Sequence, residues 1–228
     1  MSIKPSSIKH RTQNILSRSS LPGRKRGRML RRFGEKFGFV YFGSVDQHRD
    51  DHQVIRGLTI SPTHTDDHYS VGSFDGYDVS IVDRTDVTTS ANGIQTRHNW
   101  LICEIKLQKS VDTPHFFLGS HNHTNSAYSS LFTSFSHLQP VPLGALHEYG
   151  DEFTSRYGLF AAPTHFIDAE RIITGEVARS LAAHFWPLAA EVYEGSVYVY
   201  ADNQTISEHL LETMVTSGVW LAHTIDVS

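Results

Sequence analysis

The stretch from residue 76 to residue 107 constrains the fold most, because it holds two strand patterns in succession. In a strand, successive side chains point to opposite faces. Across residues 76–83, Val79 and Ile81 therefore share one face, while Asp78 and Ser80 share the other. Across residues 97–107, Leu101, Cys103, Ile105 and Leu107 make one apolar row; Trp100, Ile102, Glu104 and Lys106 make a second that ends in charge. An antiparallel sheet packed on one face and wet on the other has this pattern. The Asp-, Thr-, Asn- and Gly-rich residues 83–96 read as a long polar loop joining the two strands.

Other segments extend the sheet. Residues 69–74 enter the central pair through Asp75-Gly76, a tight-hairpin step. Short strands are expected at 39–42, 54–60, 115–118, 131–135 and 157–160, and prolines mark 139–143 as a connection. In residues 191–200 tyrosines alternate with valines around Glu194-Gly195, as in a half-buried hairpin. A helix begins at Arg24 with Leu30, Phe33 and Phe37 on one face and stops at Gly38. A second covers 176–190, with Val177, Leu181, Phe185 and Leu188 as its stripe and Pro187 at its end. Thr205-Ile-Ser-Glu208 reads as the capping box of a third, with Gly218 as its weak point and Trp220 as a core aromatic. The expectation is a single α+β domain over 24–228, a predominantly antiparallel sheet with two or three helices packed on one side. Residues 1–23 are expected to form a disordered basic tail.

Charge is distributed unevenly. Residues 1–32 hold ten of the 20 Lys and Arg and none of the 24 Asp and Glu, which leaves the rest of the chain at −14. A basic arm on an acidic body is the pattern of segments that seek phosphate or anionic lipid. Arg24, Lys25, Arg26, Arg28, Arg31 and Arg32 are the candidate anion-binding residues, and the plain alternative is a solvated tail. Aromatic residues do not interleave with these cations, which argues against a platform for single-stranded nucleic acid. No apolar run approaches the ~20 residues needed to cross a bilayer, and no apolar h-region follows the basic start. One cysteine fits a reducing compartment. The expected location is cytoplasmic, peripheral to a membrane where the arm engages lipid.

The motif His-x-Asp-Asp-His occurs twice, at 48–52 and 64–68. Imidazole and carboxylate ligate Zn, Fe, Mn or Ni, and three protein ligands with an open position would make a catalytic centre. His48, Asp51, His52, His64, Asp67 and His68 are the candidate ligands of a divalent transition metal, if the repeats fold back on each other through Pro62. The plain alternative is two polar turns. His121 and His123 share a face if extended, within a turn-rich stretch that reads as a loop.

Arg31-Arg32-Phe33-Gly-Glu-Lys-Phe-Gly-Phe-Val-Tyr41, Gly72-Ser-Phe-Asp-Gly-Tyr-Asp-Val79, the strand from Trp100 to Leu107, Asp151-Glu-Phe-Thr-Ser-Arg-Tyr157 and the closing hairpin with its helix follow one another along the chain. Together they resemble a loose family of uncharacterised bacterial domains found in actinobacteria and Saccharibacteria. The resemblance covers about residues 28–226 and implies an α+β domain, set in some members beside a transmembrane helix, with no known activity and no catalytic residues to carry over.

The chain has no Gly-x-Ser-x-Gly elbow, no Walker A loop and no dinucleotide fingerprint. Cys103, on the apolar row, is placed for packing rather than nucleophilic work. Two functions follow as expectations: a non-enzymatic binding or scaffold domain whose basic arm contacts anionic lipid or nucleic acid, and a metal-dependent hydrolase built on the two repeats.

Overall fold

A computed structural model describes residues 21–44, 55–61, 63–89, 95–109, 113–121 and 135–228. These residues form an α+β fold around a nine-stranded sheet in which every neighbouring pair is antiparallel. The strands are β1 (Val40–Ser44), β2 (Thr65–Phe74), β3 (Tyr77–Thr89), β4 (Gln95–Lys106), β5 (Phe116–Ser120), β6 (Gln139–Pro140), β7 (Tyr157–Ala161), β8 (Ala189–Tyr193) and β9 (Ser196–Asp202). Their order across the sheet is β1-β2-β3-β4-β9-β8-β5-β7-β6. Five α-helices accompany it among the described residues: α1 (Leu21–Phe37), α2 (Asp151–Arg156), α3 (Phe166–Ile172), α4 (Gly175–His184) and α5 (Glu208–Val227). Helix α1 starts three residues before the expected point, so residues 21–23 belong to it and not to a tail; residues 1–20 lie outside the described part.

Local chemistry explains the two hairpins. At Asp75-Gly76 and Glu194-Gly195 both turn residues have positive φ, +48° and +82°, then +47° and +73°. A two-residue turn with positive φ at both positions matches the twist of the strands it joins. The expected polar loop at 83–96 is mostly strand instead. The β3–β4 register runs unbroken from Val79↔Ile105 to Thr89↔Gln95. Threonine and valine alternate well enough there to pair, and pairing outweighed the turn-like composition.

All five helices contribute to one hydrophobic cluster with the apolar rows of the sheet. Val79, Ile81, Leu101, Cys103, Ile105, Val197 and Val199 meet Leu30 and Phe33 of α1, Phe153 of α2, Leu181 of α4, and Leu211, Met214 and Leu221 of α5. Burial drives the Cys103 thiol far above its usual pKa, so it packs as an inert small hydrophobe. Lys36 of α1 bridges Glu208 and Glu212 of α5 at 2.5 and 2.8 Å, tying the two helices together.

Helix α5 departs from its sequence reading in three ways. Its N-cap is Ser207, whose Oγ accepts from Leu210 N at 3.1 Å, and not Thr205. Ile206 just before the cap and Leu211 in the fourth helical position both enter the core, a hydrophobic staple that fixes this start. The helix also runs through Gly218 unbroken; a Cβ there would overlap Ile105 and Val199, so the glycine lets the helix lie close on the sheet. Trp220 is partly exposed against Phe185, with ring centroids 5.4 Å apart, and is not a core aromatic. Helix α4 ends at His184, short of the expected 190, because residues 189 and 190 pair as strand β8.

The second face of the sheet contradicts the expectation of a wet surface. Trp100, Ile102 and Glu104 are all buried there. Trp100 and Ile102 join Val82, Tyr198, Tyr200 and Phe117 under Ile55, Leu58 and Leu138, which come from irregular segments. Residues 55–60, expected as a strand, are turns that lie over this face. Residue 54 falls outside the described part, as do 131–134 of the expected strand 131–135; Phe135 is in a turn.

Candidate functional site

The loop-covered face carries buried ionisable groups that a packing surface does not need. Its centre is Glu191 on β8, with no exposure, facing Tyr198 of β9 in register and Phe117 of β5 on its other side. The carboxylate accepts Tyr200 Oη at 2.5 Å and the Leu58 amide at 2.7 Å on Oε2. On Oε1 it meets His115 Nε2 at 2.7 Å. Burial and the charge of Glu191 raise the Tyr200 phenol well above its usual pKa, so it stays protonated and donates. Gly57, at φ +95°, completes the arrangement: a Cβ there would overlap both Tyr200 Oη and Glu191 Oε2. Only glycine lets this backbone lie directly on the carboxylate.

His115 continues the chain of hydrogen bonds outward. Its Nδ1 lies 3.0 Å from Nε2 of His137, which is exposed. Phe135 and Tyr193 wall the pair, with ring centroids 5.5 and 4.6 Å from the His115 ring. Burial and, after it, the electrostatic influence of the neighbouring His115 hold the His137 imidazole below its ordinary pKa. A connected path therefore runs Tyr200–Glu191–His115–His137 from the core to the surface.

A second buried charge fastens the same loop. Arg84 of β3 reaches Asp66 of β2 bidentately at 2.7 and 2.7 Å, Thr59 Oγ1 at 3.0 Å and the Ile55 carbonyl at 2.7 Å. Both members of the ion pair are almost wholly buried. Residues 55–61 are thus held at Ile55 and Thr59 by Arg84 and at Leu58 by Glu191.

This geometry gives the second His-x-Asp-Asp-His repeat a structural part. Asp66 is committed to Arg84, while Asp67 next to it on β2 is exposed. His68 sits at φ +60° in a bulge of β2; its ring lies against Gly27 of α1 and its Nδ1 is 2.8 Å from Tyr41 Oη. His64 turns back on Ser61, its Nδ1 3.1 Å from the backbone nitrogen. The first repeat, with His48, Asp51 and His52, lies outside the described residues. Among the described residues, no group of three or more His, Cys, Asp or Glu side chains is arranged to hold a metal ion.

The cations of α1 fall into two sets. Arg26 turns inward and grips Asp83 of β3 at 2.6 and 2.7 Å. Lys25, Arg28, Arg31 and Arg32 are exposed, on the side of the helix opposite buried Leu30 and Phe33. Arg31 pairs with Glu35 one turn on, at 3.0 Å. Among the described residues, Lys25, Arg28 and Arg32 have no carboxylate within ion-pair distance. Arg24 lies in the first turn of the same helix. The basic arm is therefore, from Leu21 onward, an ordered helix docked by its apolar face.

No family model and no curated protein matches the chain. Among solved structures, it is similar to the crystal structure of the mycobacterial trehalose monomycolate transport factor A, TtfA. The TM-score is 0.56 at 12% identity, over 88% of this chain and 92% of that one. This likeness shows a shared fold. Sequence reasoning missed the Glu191 site altogether. The available signal was a carboxylate set among small apolar residues in Ala189-Ala190-Glu191-Val192, where a solvated strand would not place it. Among the described residues no helix is long and apolar enough to cross a membrane.

Proposed function

We propose that this is a non-enzymatic binding domain held at an anionic membrane surface by the exposed cations of α1. The observation that carries this reading is Lys25, Arg28, Arg31 and Arg32 on the outer side of a helix whose inner side is built into the core. A docked helix presents its charges together and loses little chain entropy on binding. Each Lys or Arg near an anionic surface contributes about 1 kcal/mol, so Lys25, Arg28 and Arg32, with Arg31 offset by Glu35, give reversible attachment that salt weakens. Similarity in fold to a trehalose monomycolate transport factor supports binding rather than catalysis. On this reading the domain is cytoplasmic and peripheral to the membrane.

The test is co-sedimentation with phosphatidylserine-containing vesicles, comparing the full chain with the Arg28→Glu/Arg32→Glu variant. Removing residues 1–32 would be a poor substitute, because Leu30 belongs to the core. The expected result is binding by the parent chain that falls with salt and is lost in the variant. Equal binding by both would overturn the proposal, and a variant that loses duplex DNA binding but keeps vesicle binding would transfer the role to nucleic acid.

A further inference from the structure

We propose that His115 and His137 form a binding site for a divalent transition-metal ion, with Glu191 positioning His115. The starting point is the number of donors aimed at Glu191. Oε2 already accepts Tyr200 Oη and the Leu58 amide, and Oε1 faces His115 Nε2 at 2.7 Å. A carboxylate only accepts, so Nε2 carries a proton, and in the neutral imidazole, the form that binds a metal, Nδ1 keeps its lone pair. That lone pair points outward, to where His137 Nε2 stands at 3.0 Å.

A metal-ligating histidine characteristically donates its other N–H to a carboxylate, which fixes the tautomer and strengthens the ligand. The Glu191–His115 contact has this form, and the carboxylate is held rigidly by groups from two other segments. The spacing fits as well. Two nitrogens each about 2.1 Å from an ion lie about 3.0 Å apart at the right angles of a tetragonal Cu or Ni site. Around tetrahedral Zn they lie about 3.4 Å apart, a difference that a small turn of the exposed His137 ring makes up. Phe135 and Tyr193 restrict the His115 ring, and the exposure of His137 leaves the remaining coordination positions to water. Without an ion, Nε2–H of His137 would donate to the same lone pair. An ion lies to one side of the line between the two nitrogens and replaces that hydrogen bond, with His137 in the tautomer that leaves its Nε2 lone pair free. Two imidazole ligands suit Zn, Cu or Ni and do not suit Mg or Ca. The site lies apart from both His-x-Asp-Asp-His repeats in sequence and uses none of their residues.

The experiment is titration of tag-free full-length protein with Zn²⁺ by calorimetry, and with Cu²⁺ by electron paramagnetic resonance. The variants are His137→Ala, His115→Ala, Glu191→Gln and, as control, His52→Ala/His68→Ala. His137 is exposed, so its replacement leaves the fold intact and keeps the test meaningful even if a Glu191 variant is unstable. The expected result is one equivalent bound, with nitrogen hyperfine structure from two imidazoles. The equivalent is lost in His137→Ala and His115→Ala and kept in the control, and the affinity falls 10- to 100-fold in Glu191→Gln. No uptake by the parent protein, or uptake unchanged in His137→Ala, would overturn the site. Unchanged affinity in Glu191→Gln would remove the positioning role.

Discussion

One face of the sheet is closed by helices and the other by loops, and the two are built from different chemistry. Under the helices the contacts are mostly apolar side chains along β3, β4 and β9, with Asp83 held by Arg26 of α1 as the charged exception. Under residues 55–61 lie Arg84, Asp66, Glu191 and Tyr200, all buried. The reason is backbone hydrogen bonding. A helix satisfies its own amides and carbonyls and can be laid on an apolar surface, whereas a loop brings backbone groups that need partners when buried. Glu191 supplies the partner for the Leu58 amide, and Arg84 the partner for the Ile55 carbonyl.

The same rule covers buried carboxylates that lie elsewhere. Glu170 of α3 accepts the amides of Gly144, Ala145 and Leu146 at 2.8, 3.3 and 2.7 Å. Asp226 near the end of α5 accepts the amides of Gln108 and Lys109 at 3.1 and 3.0 Å. Each marks a point where irregular backbone is pinned to the fold.

The largest effect that would test this contrast is expected from Asp66→Ala, which leaves the Arg84 guanidinium buried without its carboxylate. The loss should be about 3–5 kcal/mol in urea unfolding, and Asp66→Leu/Arg84→Met should recover most of it. If the double variant is as unstable as the single one, loop anchoring by Thr59 and Ile55 outweighs the ion pair. On the helix face, Leu211→Ala should cost about 2–5 kcal/mol through transfer and cavity terms alone. A smaller loss there would mean that α5 closes over the gap. The smallest effect belongs to Tyr200→Phe, which removes one hydrogen bond to a charged group and should cost about 1.5–3 kcal/mol. A neutral result would show that Leu58 and His115 suffice for Glu191.

The helix-covered face was legible in the sequence, because period-two rows and turn residues such as Asp75-Gly76 and Glu194-Gly195 are local signals. In the row Trp100, Ile102, Glu104 and Lys106 only Lys106 is exposed as expected; the cover over Trp100 and Ile102 is an irregular segment distant in sequence. Leu58 and Glu191 are 133 residues apart and His115 and Glu191 are 76 apart, so periodicity in a window cannot join them. The repeat at 64–68 stood out as chemistry, yet Asp66 answers to Arg84, 18 residues on, through a pairing of β2 and β3 that only the register reveals. The basic helix was legible in its charges and its apolar stripe; the inward turn of Arg26 to Asp83 was not, since it depends on where α1 docks.

The measurement that tests the division between the two faces most directly is amide hydrogen exchange in Glu191→Leu, which keeps the volume and removes the acceptor. Protection of the Leu58 amide should fall by at least tenfold, while amides of β4 and β9 that face one another keep theirs. Unchanged protection at Leu58 would contradict the account, because the loop would then be held by apolar contact alone.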